Sequence, residues 1–270
     1  MDARSLRFLR ITLRNTDGAS VRWRLFRSSL LLAFFLGLIA IFLHVCWSVP
    51  LGDFAPATSA KPSNSPVAEL VPEIQTESHT CGLHSLRSIY RSFGLDPDDY
   101  QLRARLGVDN PGLALDREST GTIQPDLYRV LDQDGFSFVA DFSEQSEMAS
   151  VHKHLANELP VMALIQRSET EGLHWIVLQS YEDETQTFTV CDSLADGKLH
   201  LQTADKQWTR RLLGTVRIKP RGQGSEAENE RSPWSLHAAG LRDMGRTYQR
   251  SREVLSGGRG IEASFVVYYN

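Results

Sequence analysis

Hydrophobic and polar positions divide the chain into stretches of different period. The run Leu30 to Trp47, LLLAFFLGLIAIFLHVCW, carries no formal charge apart from a protonatable His44. At about 1.5 Å per residue it approaches the thickness of a bilayer core, and it predicts one transmembrane helix over residues 30–49. Residues 50–71, PLGDFAPATSAKPSNSPVAELV, are rich in Pro, Ala and Ser without a sustained period and predict a linker. From Cys81 the pattern becomes helical. Leu83, Leu86, Ile89, Tyr90 and Phe93 form an apolar stripe, His84, Arg87 and Arg91 occupy the other face, and Gly94 supplies a stop.

A second helix is predicted over Pro125 to Asp134, where Leu127, Val130 and Leu131 follow a proline suited to a first turn, and a third over Glu144 to Asn157. Strand-like runs come next: Pro160 to Gln166, His174 to Tyr181, Thr187 to Asp192 and Thr215 to Lys219. The second and third are joined by the polar EDETQ, which fits a hairpin. Helices first and strands later give an α+β domain over residues 72–220, with an N-terminal helix packed on an antiparallel sheet. Residues 221–270 begin as a polar spacer. They then offer a helix over Trp234 to Leu255 and an apolar run, Glu262 to Tyr269, that reads as a strand.

Charge adds orientation to this picture. Seven arginines from Arg4 to Arg27 precede the apolar run, whereas Lys61 is the one basic residue between Gly52 and Ser78. The positive-inside rule therefore sets residues 1–29 in the cytoplasm and the domain outside it, on a single-pass anchor. A cleaved signal peptide fits less well, because the basic segment is long, the apolar run exceeds a usual h-region and no clean A-x-A site follows it at once. The net charge of −4 argues against nucleic acid as a partner. Three cysteines, Cys46, Cys81 and Cys191, with no C-x-x-C pair, give neither a disulfide framework nor a zinc motif. Their count leaves a Cys81 to Cys191 bridge open, and no metal or cofactor is expected.

The stretch QTESHTCGLHSLRSIYRSFG, Gln75 to Gly94, raises the chemistry. A thiol is a nucleophile as thiolate, so a catalytic cysteine needs a helix N-terminus or an imidazolium beside it. Cys81 opens a helix, and His174, at the start of a core strand in GLHWIVL, is the best placed of the eight histidines. His84 shares the helix with Cys81 and is aimed along it. Asp192 closes the next strand and can orient His174 across the hairpin, with Asp196 as a second candidate. Gln75 can join the Cys81 N–H as an oxyanion donor.

In order and separation, QTESHTCG, GTIQPDLYRVLDQDGF, ELPVMALIQ, GLHWIVL and VCDSLADGK resemble the bacteriocin-processing cysteine peptidases (double-glycine leader peptidases) of the papain-like clan. The resemblance spans about Pro72 to Lys198. It implies a papain-like fold, Cys81 as nucleophile, His174 as base and acid, Asp192 as its orienter, Gln75 as oxyanion donor, and a peptide or protein substrate. Thr80, Leu83 and Ser193 depart from the family pattern, which often has Asp or Asn before the cysteine, Pro soon after Cys-Gly, and Asp-Pro after the second strand. Those family domains are fused to a transporter with an ATPase, whereas this chain has no G-x-x-x-x-G-K-[ST] motif. Two function classes follow: a membrane-anchored cysteine peptidase, with a related acyl transferase using the same thiol, and an inactive peptidase-like module that binds peptides in the envelope.

Overall fold

The computed structural model describes residue 29 and residues 31–37, 60–109, 121–143, 148–167, 172–194, 198–222 and 232–256. Most of the expected transmembrane span, Cys46 and the expected strand Glu262 to Tyr269 lie outside them. Residues 31–37 are helical and exposed, and among the described residues no helix is long and apolar enough to cross a membrane.

The folded unit begins with α1 (Cys81–Ser92), α2 (Asp99–Arg105) and α3 (Gln124–Gln133). These are followed by β1 (Phe136–Asp141), α4 (Met148–Leu155), β2 (Val161–Gln166), β3 (Leu173–Glu182) and β4 (Thr187–Cys191). The unit ends with β5 (Leu199–Thr203), α5 (Lys206–Arg211), β6 (Leu212–Pro220) and α6 (Pro233–Leu255). Six strands form one antiparallel sheet in the order β1-β6-β2-β3-β4-β5. The α+β reading and the helix packed on the sheet agree with this architecture.

Helices cover both faces of the sheet, which explains why the inner strands read as unbroken apolar runs. All six residues of β2 are buried. On one face the core joins Leu83, Leu86 and Ile89 of α1 to Trp175 and Val177 of β3; on the other, Val151 and Leu155 of α4 meet Ile176 and Leu178. Two strands were not expected from the pattern. In β1, Phe136 and Phe138 are buried while Val139 is half exposed, so the apolar signal is brief. The largely exposed β5 lies at the sheet edge.

Two boundaries shift. Part of the expected linker lies on the domain, because Val67 N–H and Ala68 N–H donate to Ser92 O, Ser88 Oγ donates to Val71 O, and Leu70 is buried. The C-terminal helix α6 is also built into the fold. Tyr128 Oη donates to Asp243 at 2.9 Å, Gln124 Nε2 to Thr247 at 2.9 Å, and Ser251 Oγ to Gln166 at 2.6 Å. A Cβ at Gly240 would stand 2.4 Å from Pro125 Cα, so glycine permits this close crossing of α6 over the start of α3.

Candidate active site

Cys81 is the first residue of α1, and α1 is clamped to β3 near it. Trp175 N–H donates to Cys81 Sγ at 3.5 Å, and Ser85 Oγ donates to Trp175 O at 3.1 Å. The Trp175 indole N–H is held by Thr122 O at 3.0 Å. Thr122 explains the glycine after the cysteine, since a Cβ on Gly82 would lie 2.4 Å from Thr122 Cβ. Its neighbour Gly121 has φ +63° and its own missing Cβ faces His79 O at 2.7 Å, so the approach of this loop to the Cys81 helix requires both glycines. Cys81 is 7% exposed, while Thr80 and Leu83 are 1% exposed, and Leu83 packs in the core cluster that also holds Cys81.

His174 enters from β3, next in sequence to the tryptophan that touches the sulfur. Its Nε2 lies 2.7 Å from Asp192 Oδ1. Val177 pairs with Cys191, so continuing that register sets Asp192 opposite Ile176, two residues from His174, within the diagonal reach of neighbouring strands. Asp192 is further fixed by Leu194 N–H at 2.9 Å. Asp196 lies outside the described residues.

Burial alone would lower the His174 pKa, but hydrogen bonds with Asp192 and Cys81 and the charges of both outweigh it, raising the imidazole from 6.5 to about 9. With Nε2 on Asp192, Nδ1 is the nitrogen left for Cys81. Asp192 is buried enough to push its carboxyl upward, yet the His174 hydrogen bond and charge hold it below its ordinary value. A positive imidazole held by a carboxylate is the partner that a nucleophilic thiol needs beside it.

Gln75 is buried, and its Nε2 donates to Glu77 O at 3.0 Å and Ser78 O at 3.3 Å, in the turn that leads to Cys81. Its Oε1 accepts from Ser193 Oγ at 2.5 Å, and its backbone N–H donates to Ser193 O at 2.8 Å. Thr80, the residue before α1, makes no side-chain cap; its hydroxyl donates to Glu77 O instead. The start of α1 is thereby left without a side-chain acceptor from its own cap residue.

The other titratable groups nearby have different partners. His84 Nδ1 is 3.2 Å from Glu73 Oε2, and Arg87 and Arg91 bind the same carboxylate. Cys191 is a free, buried thiol, as is Cys81, so no bridge joins them; burial pushes Cys191 up to about 11 against a hydrogen bond with Ser88. Among the described residues, Glu77, His79 and Asp109 bring metal-ligating atoms together. Arg103 already lies 2.6 Å from both carboxylates, and its hydrogen bonds hold each below its ordinary pKa.

Sequence reasoning missed Trp175 as a donor to the sulfur and Ser193 as the partner of Gln75. The signal for Trp175 was available, because it adjoins His174 in GLHWIVL and faces the opposite side of the strand.

A family model described as Peptidase_C39 like family matches residues 67–211, just over half of the chain. No curated protein matches. Among solved structures, the peptidase domain of Streptococcus ComA, a bi-functional ABC transporter involved in quorum sensing, is 12% identical; the match covers 56% of this chain and 99% of that one, with a TM-score of 0.44. A C39-like peptidase from Bacillus anthracis is 14% identical, with 59% and 98% covered and a TM-score of 0.47. A double glycine motif protease from an AMS/PCAT transporter, in complex with the leader peptide, is 15% identical, with 60% and 99% covered and a TM-score of 0.41.

Proposed function

The chain belongs to the Peptidase_C39 like family, and from that premise we propose that it is a membrane-anchored cysteine peptidase working through Cys81, His174, Asp192 and Gln75. The observation that carries the reading is His174, held by Asp192 at 2.7 Å and next in sequence to Trp175, whose N–H reaches Cys81 Sγ at 3.5 Å. In the proposed reaction, Cys81 Sγ attacks the peptide carbonyl carbon as thiolate, an S–C bond forms, and the carbonyl oxygen takes the negative charge. The Cys81 backbone N–H and a Gln75 amide N–H stabilise that oxygen, the Gln75 amide turning from the longer of its two carbonyl contacts. Collapse breaks the C–N bond while His174 Nδ1–H protonates the leaving amine. Water then attacks the thioester, His174 takes its proton, and the thiolate leaves. Asp192 accepts from Nε2–H throughout, so Nδ1 stays directed at the sulfur.

Iodoacetamide labelling of the full chain at pH 7, mapped by mass spectrometry, tests the nucleophile. Cys81 is expected to react at least about 100-fold faster than Cys191, whose thiol is buried and pushed up to about 11. Equal, slow labelling of the two would remove the thiolate and leave the peptide-binding module as the surviving reading.

The anchor rests on the sequence, in the uncharged apolar run from Leu30 and the arginines ahead of it. Expressed in bacteria, the chain should remain in the membrane pellet after alkaline carbonate extraction, and external protease should digest the domain only once the outer barrier is opened. Release into the supernatant would overturn the anchor and leave the thiol chemistry untouched.

A further inference from the structure

We infer that Ser193 is a positioning residue for the oxyanion donor, anchoring Oε1 of the Gln75 amide and so holding the amide in place beside the start of α1. The inference rests on the peptidase reading above. An amide has a donating and an accepting end, and the two meet different partners here. The carbonyls of Glu77 and Ser78 accept from Nε2, while the Ser193 hydroxyl donates to Oε1 at 2.5 Å. Reversed, the amide would press its oxygen against two carbonyl oxygens, while the Ser193 hydroxyl could accept from the NH₂; the carbonyls therefore set the ends of the amide, and the hydroxyl is the partner that holds its far end in place. Gln75 is 8% exposed and Ser193 3% exposed, so water does not readily replace that partner when it is removed.

The same serine follows Asp192 directly. Its carbonyl takes the Gln75 backbone N–H at 2.8 Å, and Asp192 Oδ1 takes both His174 and Leu194 N–H. A single turn therefore holds the acid that orients the histidine and clasps the segment that carries the glutamine. The serine hydroxyl is a pivot: with Oε1 pinned, Nε2 can turn from the Ser78 carbonyl toward an acyl oxygen on Cys81 without the side chain losing its place. Sequence patterning could not reveal this, because a serine after a strand ordinarily reads as a turn former.

Two probes separate the oxyanion from the nucleophile. Alkylation of Cys81 by iodoacetamide displaces iodide at carbon and forms no oxyanion; acylation of Cys81 by p-nitrophenyl acetate passes through one. Ser193→Ala is expected to leave the alkylation rate and its pH profile within about 2-fold of wild type and to slow acylation about 10-fold. Gln75→Ala should slow acylation about 100-fold, in the range for loss of one oxyanion donor. The double variant should be no slower than Gln75→Ala alone, and Ser193→Thr, which keeps the hydroxyl, should recover most of the loss. Additive losses in the double variant, an unimpaired Ser193→Ala, or equal slowing of both reactions would each overturn the role of Ser193. Normal acylation in Gln75→Ala would instead overturn the oxyanion role of the glutamine, on which the inference depends.

Discussion

Replacing Asp192 by alanine is expected to drop the His174 titration from about 9 to the ordinary imidazole range or below it, and peptide hydrolysis by about 10³-fold or more. The direction follows from the balance at the ring. Burial disfavours the imidazolium, and the hydrogen bond and charge of Asp192 help to overcome it. With Asp192 removed, burial regains weight, so the ring loses its proton at lower pH and Nδ1–H is no longer available to the leaving amine at neutral pH. NMR titration of the His174 ring in wild type and Asp192→Ala measures this without a substrate. An unchanged titration would mean that Asp192 does not hold the imidazolium.

The same shift has a consequence for stability, of definite sign. The folded-state pKa of His174 is raised above 6.5, so the protonated ring contributes stability fully at pH below that value. The contribution is lost as pH rises through about 9, and Asp192→Ala should flatten this alkaline dependence. Asp192, whose own value is lowered, works in the opposite sense: its contribution is present above the ordinary carboxyl range and declines in acid.

How much of this site could be read in the sequence depended on which residues sit on periodic elements. Cys81 lies at the start of a helical stripe and His174 at the start of an apolar run, so the elements that carry them were both visible. Asp192 was visible because EDETQ marks a hairpin whose register runs from Glu182↔Thr187 to Val177↔Cys191. Asp196 remained beside it as an alternative, since the turn after β4 has no period to choose between them. The Gln75 hydrogen bonds belong to turns, where side-chain direction has no signature in composition. Similarly, Asp243, Thr247 and Ser251 are polar residues of the expected C-terminal helix, yet each meets a partner on α3 or β2. Periodicity counts polar residues as outward-facing and cannot anticipate a polar interface between two elements.

The second large effect concerns the far end of the helix that Cys81 opens. Arg105 and Asp134 are buried together, with side-chain exposures of 1% and 0%, and Arg105 Nη2 lies 2.7 Å from Asp134 Oδ1. Arg105 Nη1 donates to Oδ2 at 2.9 Å, and Tyr90, near the end of α1, donates to the same oxygen at 2.6 Å. Burial, reinforced by the negative charge of Asp134, holds the Tyr90 hydroxyl well above its ordinary pKa, so it remains a donor. Arg105→Ala removes the cation and leaves a carboxylate inside the core with the Tyr90 hydroxyl as its remaining named donor. By the usual effect of breaking a buried pair, urea unfolding should show a loss of about 3–5 kcal/mol. Arg105→Met combined with Asp134→Leu should recover most of that loss, since removing both charges avoids the uncompensated one. A loss below about 1 kcal/mol in Arg105→Ala would mean that the buried pair contributes little to the fold. The test also separates holding the helix from performing the chemistry. Tyr90 and Cys81 lie near opposite ends of α1, so the folded fraction of the double variant should alkylate Cys81 at the wild-type rate.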